Sequence, residues 1–233
     1  MVQSKSMEAP LLVVNLKAYP GAVGDGALRI LEALERVQRE TGVAVAIAPN
    51  HVDLSALASR TSIPVLAQGA VPGKGGARTA KVPIGILPSI GVEGLIINHS
   101  ENPQSLAEIS KLVEEGRELG LWTLVCVPSP AEAMAVASLS PDAIAVEPPD
   151  LIGGPISVSR ARPEVLLQFS KALSGTYTGF LLAGAGISTG EDSRRARELG
   201  MDGVLVASAI AASGEPFKRA LDIATGLLDH DQS

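Results

Sequence analysis

The chain has a single cysteine, Cys126, among its 233 residues. One thiol cannot form a disulfide within the chain, which excludes a fold that depends on internal disulfides and indicates a reducing compartment. Long apolar segments are also missing near the start, where the longest run, residues 11–14, is too short for a signal-peptide core or a membrane span. We therefore predict a cytoplasmic protein with no membrane partner.

Basic residues are in deficit, with 19 Lys and Arg against 25 Asp and Glu, which gives a net charge of −6 at pH 7. Nucleic-acid binding needs a basic surface, so we predict no nucleic-acid partner. A small anionic substrate is still compatible, because backbone N–H groups and one lysine can hold a phosphate. Histidine is also scarce: His51, His99 and His230 show no metal-triad pattern, and we predict no metal site.

Aromatic residues make up only 3% of the chain, whereas 46% of its residues are hydrophobic. The core must therefore be built from small aliphatic side chains. Parallel strands that are buried on both faces have this composition.

Eight short aliphatic runs recur along the chain, and each precedes a helical stretch or an irregular connection. Their residues are 11–16, 43–48, 64–67, 93–98, 122–127, 143–146, 179–183 and 203–207. Such alternation predicts parallel strands joined by right-handed crossovers, and eight units close into a (β/α)₈ barrel. The main alternative is an open doubly wound sheet of six units. We predict one compact α/β barrel over residues 11–230, after a polar, flexible leader at residues 1–10.

The chemistry of such barrels lies just past the carboxyl ends of the strands. Asn15 and Lys17 end the first run, and alternation places both on the side of the barrel mouth. A lysine there offers a compact charge to a phosphate or a developing oxyanion, although it could instead extend into solvent.

His99 follows the fourth run. We predict that Ser100 or Asn102 caps a helix that begins at Pro103. The positive end of that helix would lower the pKa of His99 and favour the neutral ring, which can donate a hydrogen bond to a carbonyl oxygen. A purely structural capping histidine is the alternative.

Glu147 ends the sixth run, where partial desolvation raises the pKa of a carboxylate and makes it a usable base. Two prolines at 148–149 and two glycines at 153–154 follow, a composition that suits a lid spanning residues 148–159. The alternative for Glu147 is a salt bridge at the barrel rim.

The last two runs end in the small residues 184–186 and 207–208, within the segments 184–190 and 206–209, where backbone N–H groups can approach a ligand. These positions often form a phosphate cradle in barrels. Cys126 ends the fifth run, and we predict a buried packing thiol.

Taken in order, these segments resemble the triosephosphate isomerases of the shorter kind found in archaea, over residues 11–228. The matching segments are Asn15-Leu16-Lys17, Asn98-His99-Ser100-Glu101, Cys126, residues 145–149 with 151–153, and residues 184–190. The resemblance implies interconversion of D-glyceraldehyde 3-phosphate and dihydroxyacetone phosphate through an enediolate. It also implies a place in glycolysis and gluconeogenesis, with no cofactor.

The roles of the family carry over to matching residues. The resemblance implies Glu147 as base, His99 as electrophile, Asn15 and Lys17 as substrate-binding residues, and Glu101 as the acidic residue behind the lysine and histidine. It implies a phosphate site formed with Ile152, Gly153, Gly186, Ala207 and Ser208.

One loop departs from the family, because archaeal members usually have His-Thr-Gly where this chain has Arg78-Thr79-Ala80. Thr79, which in the family reaches a neighbouring subunit's site, is kept. The resemblance implies a homodimer, with pairing of dimers into a homotetramer.

Two other functions fit a phosphate-binding barrel. One is an aldolase that uses Lys17 as a Schiff base, which borohydride trapping would detect. The other is a non-catalytic binding protein, against which the joint presence of Lys17, His99 and Glu147 argues.

Overall fold

The computed structural model describes residues 7–151 and 157–228, and its centre is an eight-stranded parallel sheet. The strands are β1 Leu11–Asn15, β2 Ala44–Ala48, β3 Leu66–Ala67, β4 Gly94–Ile97, β5 Trp122–Val127, β6 Ala143–Val146, β7 Phe180–Ala183 and β8 Gly203–Val206. Their order is β2-β1-β8-β7-β6-β5-β4-β3. A parallel bridge between Ile47 and Val65 joins β2 to β3, so the sheet closes on itself. The predicted (β/α)₈ barrel is confirmed, and the open doubly wound sheet is wrong.

Helices surround the barrel. They are α1 Asp25–Thr41, α2 Leu54–Ala58, α3 Leu106–Leu119, α4 Pro130–Ala137, α5 Val158–Ala161, α6 Pro163–Leu173, α7 Gly190–Glu198, α8 Ser208–Ala211 and α9 Pro216–Leu228. Only two 3₁₀ turns, Ile84–Ile86 and Pro88–Ile90, stand between β3 and β4. Among the helices of the described ranges, none is both long and apolar enough to cross a bilayer.

Alternation along each strand separates two buried clusters. Leu12 and Val14 of β1 belong to a large cluster that includes helix residues, between the sheet and the helices. Leu11 and Val13 belong to a second cluster that fills the barrel, built from aliphatic side chains and the thiol of Cys126. The same alternation continues for one or two residues past the strand ends, and the residues that point inward there form the mouth of the barrel. The inward residues there are Asn15, Gln68, Asn98, Glu147, Gly184 and Ala207.

The start of α3 differs from the prediction. Ser105 is the N-cap: its hydroxyl accepts the N–H of Glu108, and the Glu108 carboxylate accepts the N–H of Ser105. The predicted caps, Ser100 and Asn102, lie in the irregular segment before it, so that prediction is wrong. A complete capping box satisfies two backbone donors at once, which outweighs the signal from Pro103.

The division into a leader and a barrel stays a prediction. Within the described part of the leader, the carbonyl of Pro10 accepts the N–H of Ala44 at 3.1 Å, which ties this end of the chain to β2.

Candidate active site

The turn after β1 is held by several polar contacts. Asn15 is 5% exposed, and its side-chain oxygen accepts the N–H of Lys17 at 3.0 Å. Lys17 has a φ of +50°, a conformation that costs energy in a residue with a side chain. Its carbonyl accepts hydrogen bonds from Gln68 at 2.9 Å and Asn50 at 3.3 Å. These contacts hold the lysine in an otherwise unfavourable backbone conformation.

The Lys17 ammonium lies 2.8 Å from a carboxylate oxygen of Glu101. The lysine side chain is mostly buried at 15% exposure, whereas that of Glu101 is 58% exposed. With its ammonium held by a single carboxylate at the barrel mouth, Lys17 is suited to balance negative charge. A Schiff-base lysine needs the neutral amine, so the arrangement argues against the aldolase alternative.

Hydrogen bonds of the Asn98 and Gln104 side chains place His99 after β4. Asn98 has a φ of +58°, and its amide donates to the carbonyl of Cys126 at 2.9 Å. Asn98 and Gln104 also exchange two hydrogen bonds, each 2.9 Å long, between the side chain of one and the backbone N–H of the other. The closed turn leaves His99 only 6% exposed at the barrel mouth.

The hydrogen bonds of His99 define its tautomer. The backbone N–H of Glu101 donates to Nδ1 at 3.1 Å, so Nδ1 carries no proton and Nε2 is the donor of the neutral ring. Burial, followed by the charge of Lys17, lowers the pKa of His99, and Glu101 opposes them. The predicted direction is confirmed. The predicted cause, the N-terminus of a helix beginning at Pro103, is wrong, because α3 begins only at Leu106.

Glu147 follows β6, and its N–H donates to the carbonyl of Val127 at 2.8 Å. It is 4% exposed, and Oε2 has no hydrogen-bond partner among the described residues. Burial raises the pKa of Glu147 to about 7, Cys126 and Lys17 oppose the shift, and Glu101 adds to it. The predicted direction is again confirmed. Oε1 lies 3.8 Å from Nε2 of His99, and no described lysine or arginine forms a salt bridge with this carboxylate.

Gly184 makes room for Glu147, a role that the sequence analysis missed. A Cβ at position 184 would lie 2.4 Å from Cγ of Glu147, closer than real atoms approach. The only sequence signal was the small size of this residue at a strand end.

The candidate residues meet around a cavity of about 180 Å³. Its lining consists of Asn15, Lys17, Tyr19, His99, Glu147, Gly184, Gly186, Ile187, Ser188, Leu205, Val206, Ala207, Ser208 and Ala209. Tyr19 was not predicted here. Glu101 acts on the cavity through Lys17 and His99. Ile152 and Gly153 lie outside the described residues, as does the middle of the predicted lid.

Two other predicted residues, Cys126 and Thr79, do not line this cavity. Cys126 is a free thiol, buried inside the barrel, and burial raises its pKa, which suits the predicted packing role. Thr79 is exposed, at the tip of a loop whose base is joined by the pairing of Val71 with Pro83. Within residues 7–151 and 157–228, no group of three His, Cys, Asp or Glu could hold a metal ion.

Comparison with known proteins assigns the chain to a family. The family model described as triosephosphate isomerase matches residues 10–224. A triosephosphate isomerase of Pyrobaculum arsenaticum is 43% identical over 223 residues, which cover 95% of this chain and all of that protein. Those of Methanothermus fervidus and Methanopyrus kandleri are each 40% identical, over 93% and 95% of this chain and 97% and 99% of their own lengths. The chain therefore belongs to the triosephosphate isomerase family and is an enzyme.

Proposed function

We propose that the chain interconverts D-glyceraldehyde 3-phosphate and dihydroxyacetone phosphate, with Glu147 as the base. The observation that carries the assignment of roles is the buried carboxylate of Glu147, with a pKa of about 7, facing the Nε2–H of a neutral histidine 3.8 Å away. A base with a pKa near the operating pH both accepts and returns a proton efficiently.

The reaction moves one proton between adjacent carbons. Glu147 takes the proton from the carbon beside the carbonyl, and His99 donates a hydrogen bond from Nε2 to the developing oxyanion. An enediolate forms, and the proton of the neighbouring hydroxyl passes to the oxyanion, with Nε2 of His99 as the relay. The protonated Glu147 then returns its proton to the neighbouring carbon, so that the carbonyl and the hydroxyl exchange places. Asn15 binds a substrate oxygen, and Lys17, held by Glu101, offsets the negative charge. A base and an electrophile suffice for this step, so we propose no cofactor.

The phosphate group would occupy the side of the cavity formed by the ends of β7 and β8. Gly186, Ala207 and Ser208 line that side. Small residues there allow backbone N–H groups to approach an anion. Ile152 and Gly153, as the phosphate-binding part of a lid over 148–159, remain part of the proposal by their match to the family.

We also propose that the active unit is a homodimer, with a homotetramer as the further assembly, in the cytoplasm. Thr79 lies in the exposed stretch 76–81, which projects from the base formed by Val71 and Pro83. In a dimer it would contact the neighbour near Asn15 and Glu101. The single buried thiol of Cys126 suits a reducing compartment.

Replacement of Glu147 by Gln tests the role of the base. We expect turnover in a coupled assay with glyceraldehyde 3-phosphate to fall by at least the roughly 10²–10⁴-fold that a general base contributes. Competitive inhibition by inorganic phosphate should remain, because the phosphate side of the cavity is unchanged.

Glu164→Gln is the matched control, since Glu164 is an exposed carboxylate on the first turn of α6. It should retain wild-type turnover. If Glu147→Gln stays within a few-fold of wild type, Glu147 is not the base.

A further inference from the structure

Asp192, in the first turn of α7, is a buried carboxylate outside the reaction centre, with 2% exposure. Its Oδ2 accepts four hydrogen bonds from the turn after β7. The backbone N–H and hydroxyl of Ser188 donate at 3.1 and 3.2 Å, and those of Thr189 donate at 3.0 and 2.9 Å. This oxygen therefore holds the turn that ends at the N-cap of α7.

The other oxygen of Asp192 faces a different segment. Oδ1 accepts the hydroxyl of Ser157 at 2.7 Å and lies 2.7 Å from Nε of Arg160. The hydroxyl of Ser159 donates to the backbone carbonyl of Asp192 at 3.0 Å. These three residues belong to the segment that contains α5.

A helix cap does not require this second set of contacts. In the capping box of α7, Oδ2 of Asp192 accepts the N–H of Thr189, and the Thr189 hydroxyl accepts the N–H of Asp192. Ser157 takes no part in these two bonds, and Arg160 adds only a hydrogen bond of 3.3 Å from Nη2 to that hydroxyl. Burial acts to raise the pKa of Asp192, but hydrogen bonds from Ser157 and Thr189 and the charge of Arg160 outweigh it and lower the pKa. The group therefore stays ionised and joins two loops at once.

We propose that Asp192 is a positioning residue that sets the phosphate side of the cavity by tying the segment around α5 to the turn after β7. Ser188 lines the cavity directly, together with Gly186 of the same turn. A shift of this turn would move the backbone groups that face the phosphate. This inference rests on the proposed function and names a residue that acts through the turn, without touching substrate.

Asp192→Asn is the principal test. The amide nitrogen of the new asparagine would replace either Oδ1 or Oδ2, and both of these oxygens accept hydrogen bonds. Either the turn after β7 or the segment around α5 would therefore lose its acceptor. We expect the KM for glyceraldehyde 3-phosphate and the Ki of inorganic phosphate each to rise about tenfold, or ~1.4 kcal/mol. kcat should change less than threefold, because Glu147, His99 and Lys17 make no contact with Asp192.

Arg160→Ala separates positioning from helix capping. It removes the ion pair with Oδ1 and a hydrogen bond to the Thr189 hydroxyl, but the two reciprocal bonds between Thr189 and Asp192 that form the capping box remain. The Arg160 side chain is 44% exposed. We expect the same rise in KM and Ki, several-fold in size. If Asp192 only caps α7, the KM and Ki of Arg160→Ala should equal those of wild type.

Glu191→Gln is the matched control. Glu191 neighbours Asp192 in the same helical turn, is exposed, and pairs with Arg194 three residues away. Its variant should keep the wild-type KM and Ki. If Arg160→Ala keeps the wild-type Ki for phosphate, Asp192 does not position the phosphate side of the cavity, although the proposed activity still holds. This result decides the matter even if Asp192→Asn fails to fold. A wild-type chain that neither turns over the triose phosphate nor binds phosphate would overturn the proposed function itself.

Discussion

At the scale of single residues, burial governs the chemistry of Glu147 more than any neighbouring charge. The attraction of Lys17 and the thiol of Cys126 both favour the ionised carboxylate, yet the pKa rises to about 7. Removing an acid from water disfavours its charged form, and Glu147 is only 4% exposed to solvent. The same burial keeps His99 neutral, so one physical cause prepares both base and electrophile.

This raised pKa predicts a pH dependence of stability. The folded chain keeps the Glu147 proton to about pH 7, whereas the unfolded chain loses it near pH 4.5, the ordinary pKa of a glutamate side chain. Between these values the folded state binds more protons, so the free energy of unfolding falls as pH rises, by about 3 kcal/mol in all. Glu147→Gln should lack this loss.

Denaturant unfolding of wild type and Glu147→Gln at pH 4.5 and pH 8 measures the effect. The variant should gain about 3 kcal/mol relative to wild type between the two pH values. Parallel curves for the two proteins across this range would show that Glu147 is not desolvated in the folded chain.

Gly184→Ala tests the space that the base requires. The added methyl would lie 2.4 Å from Cγ of Glu147, so the Glu147 side chain must shift from the position it holds beside His99. A displacement of about 1 Å can cost about 10²-fold in rate. We expect turnover to fall by this order while the phosphate Ki changes little.

Gly214→Ala is the control, because a Cβ there meets nothing within 4 Å. It should leave turnover unchanged. If Gly184→Ala is as active as wild type, the base tolerates a shift, and the close fit between Gly184 and Glu147 has no catalytic consequence.

At the scale of elements, the sequence located strands better than helix starts. β5 at Trp122–Val127 and β6 at Ala143–Val146 agree with the predicted bounds, because each is a buried aliphatic run that polar residues or prolines end. The short helix α8 was missed, since four residues carry no 3.6-residue period.

The start of α3 gives an element-scale prediction. Ser105→Ala should lower the free energy of unfolding by about 1 kcal/mol, because it removes the acceptor for the N–H of Glu108. Ser100→Ala should leave stability nearly unchanged, since Ser100 lies before the helix. Thermal or denaturant unfolding of both variants measures the difference. A larger loss in Ser100→Ala would restore the earlier helix start.

At the scale of the whole molecule, assembly of the dimer is predicted to depend on the loop that carries Thr79. Ala77 is exposed near its tip. If this loop inserts beside a neighbour's site, Ala77→Asp would bury an unpaired charge there. We expect sedimentation to show dissociation to monomers at micromolar concentration, with activity lost in the same samples.

Gln168→Glu adds a single negative charge on an exposed position of α6 and serves as control. It should keep both the assembly and the activity. A wild-type monomer with full activity at high dilution would contradict the proposed role of the loop.

The barrel and the residue types at its mouth follow from the amino-acid sequence without any structure. Eight aliphatic runs can bury both faces of a parallel sheet in only a few ways, and alternation then carries Asn15 and Glu147 to the same end. The order of residues along the chain is enough to place these side chains, because the two-residue period of a strand is a local property.

Tertiary structure alone decided how these groups act. The tautomer of His99 depends on the N–H of Glu101, the pKa of Glu147 depends on burial by distant strands, and the space beside it depends on Gly184. The joining of α5 to the β7 turn through Asp192 is also invisible in the sequence, since its partners lie up to 35 residues away. Contacts across such separations arise only when the closed sheet brings strand ends together, so local pattern carries no trace of them.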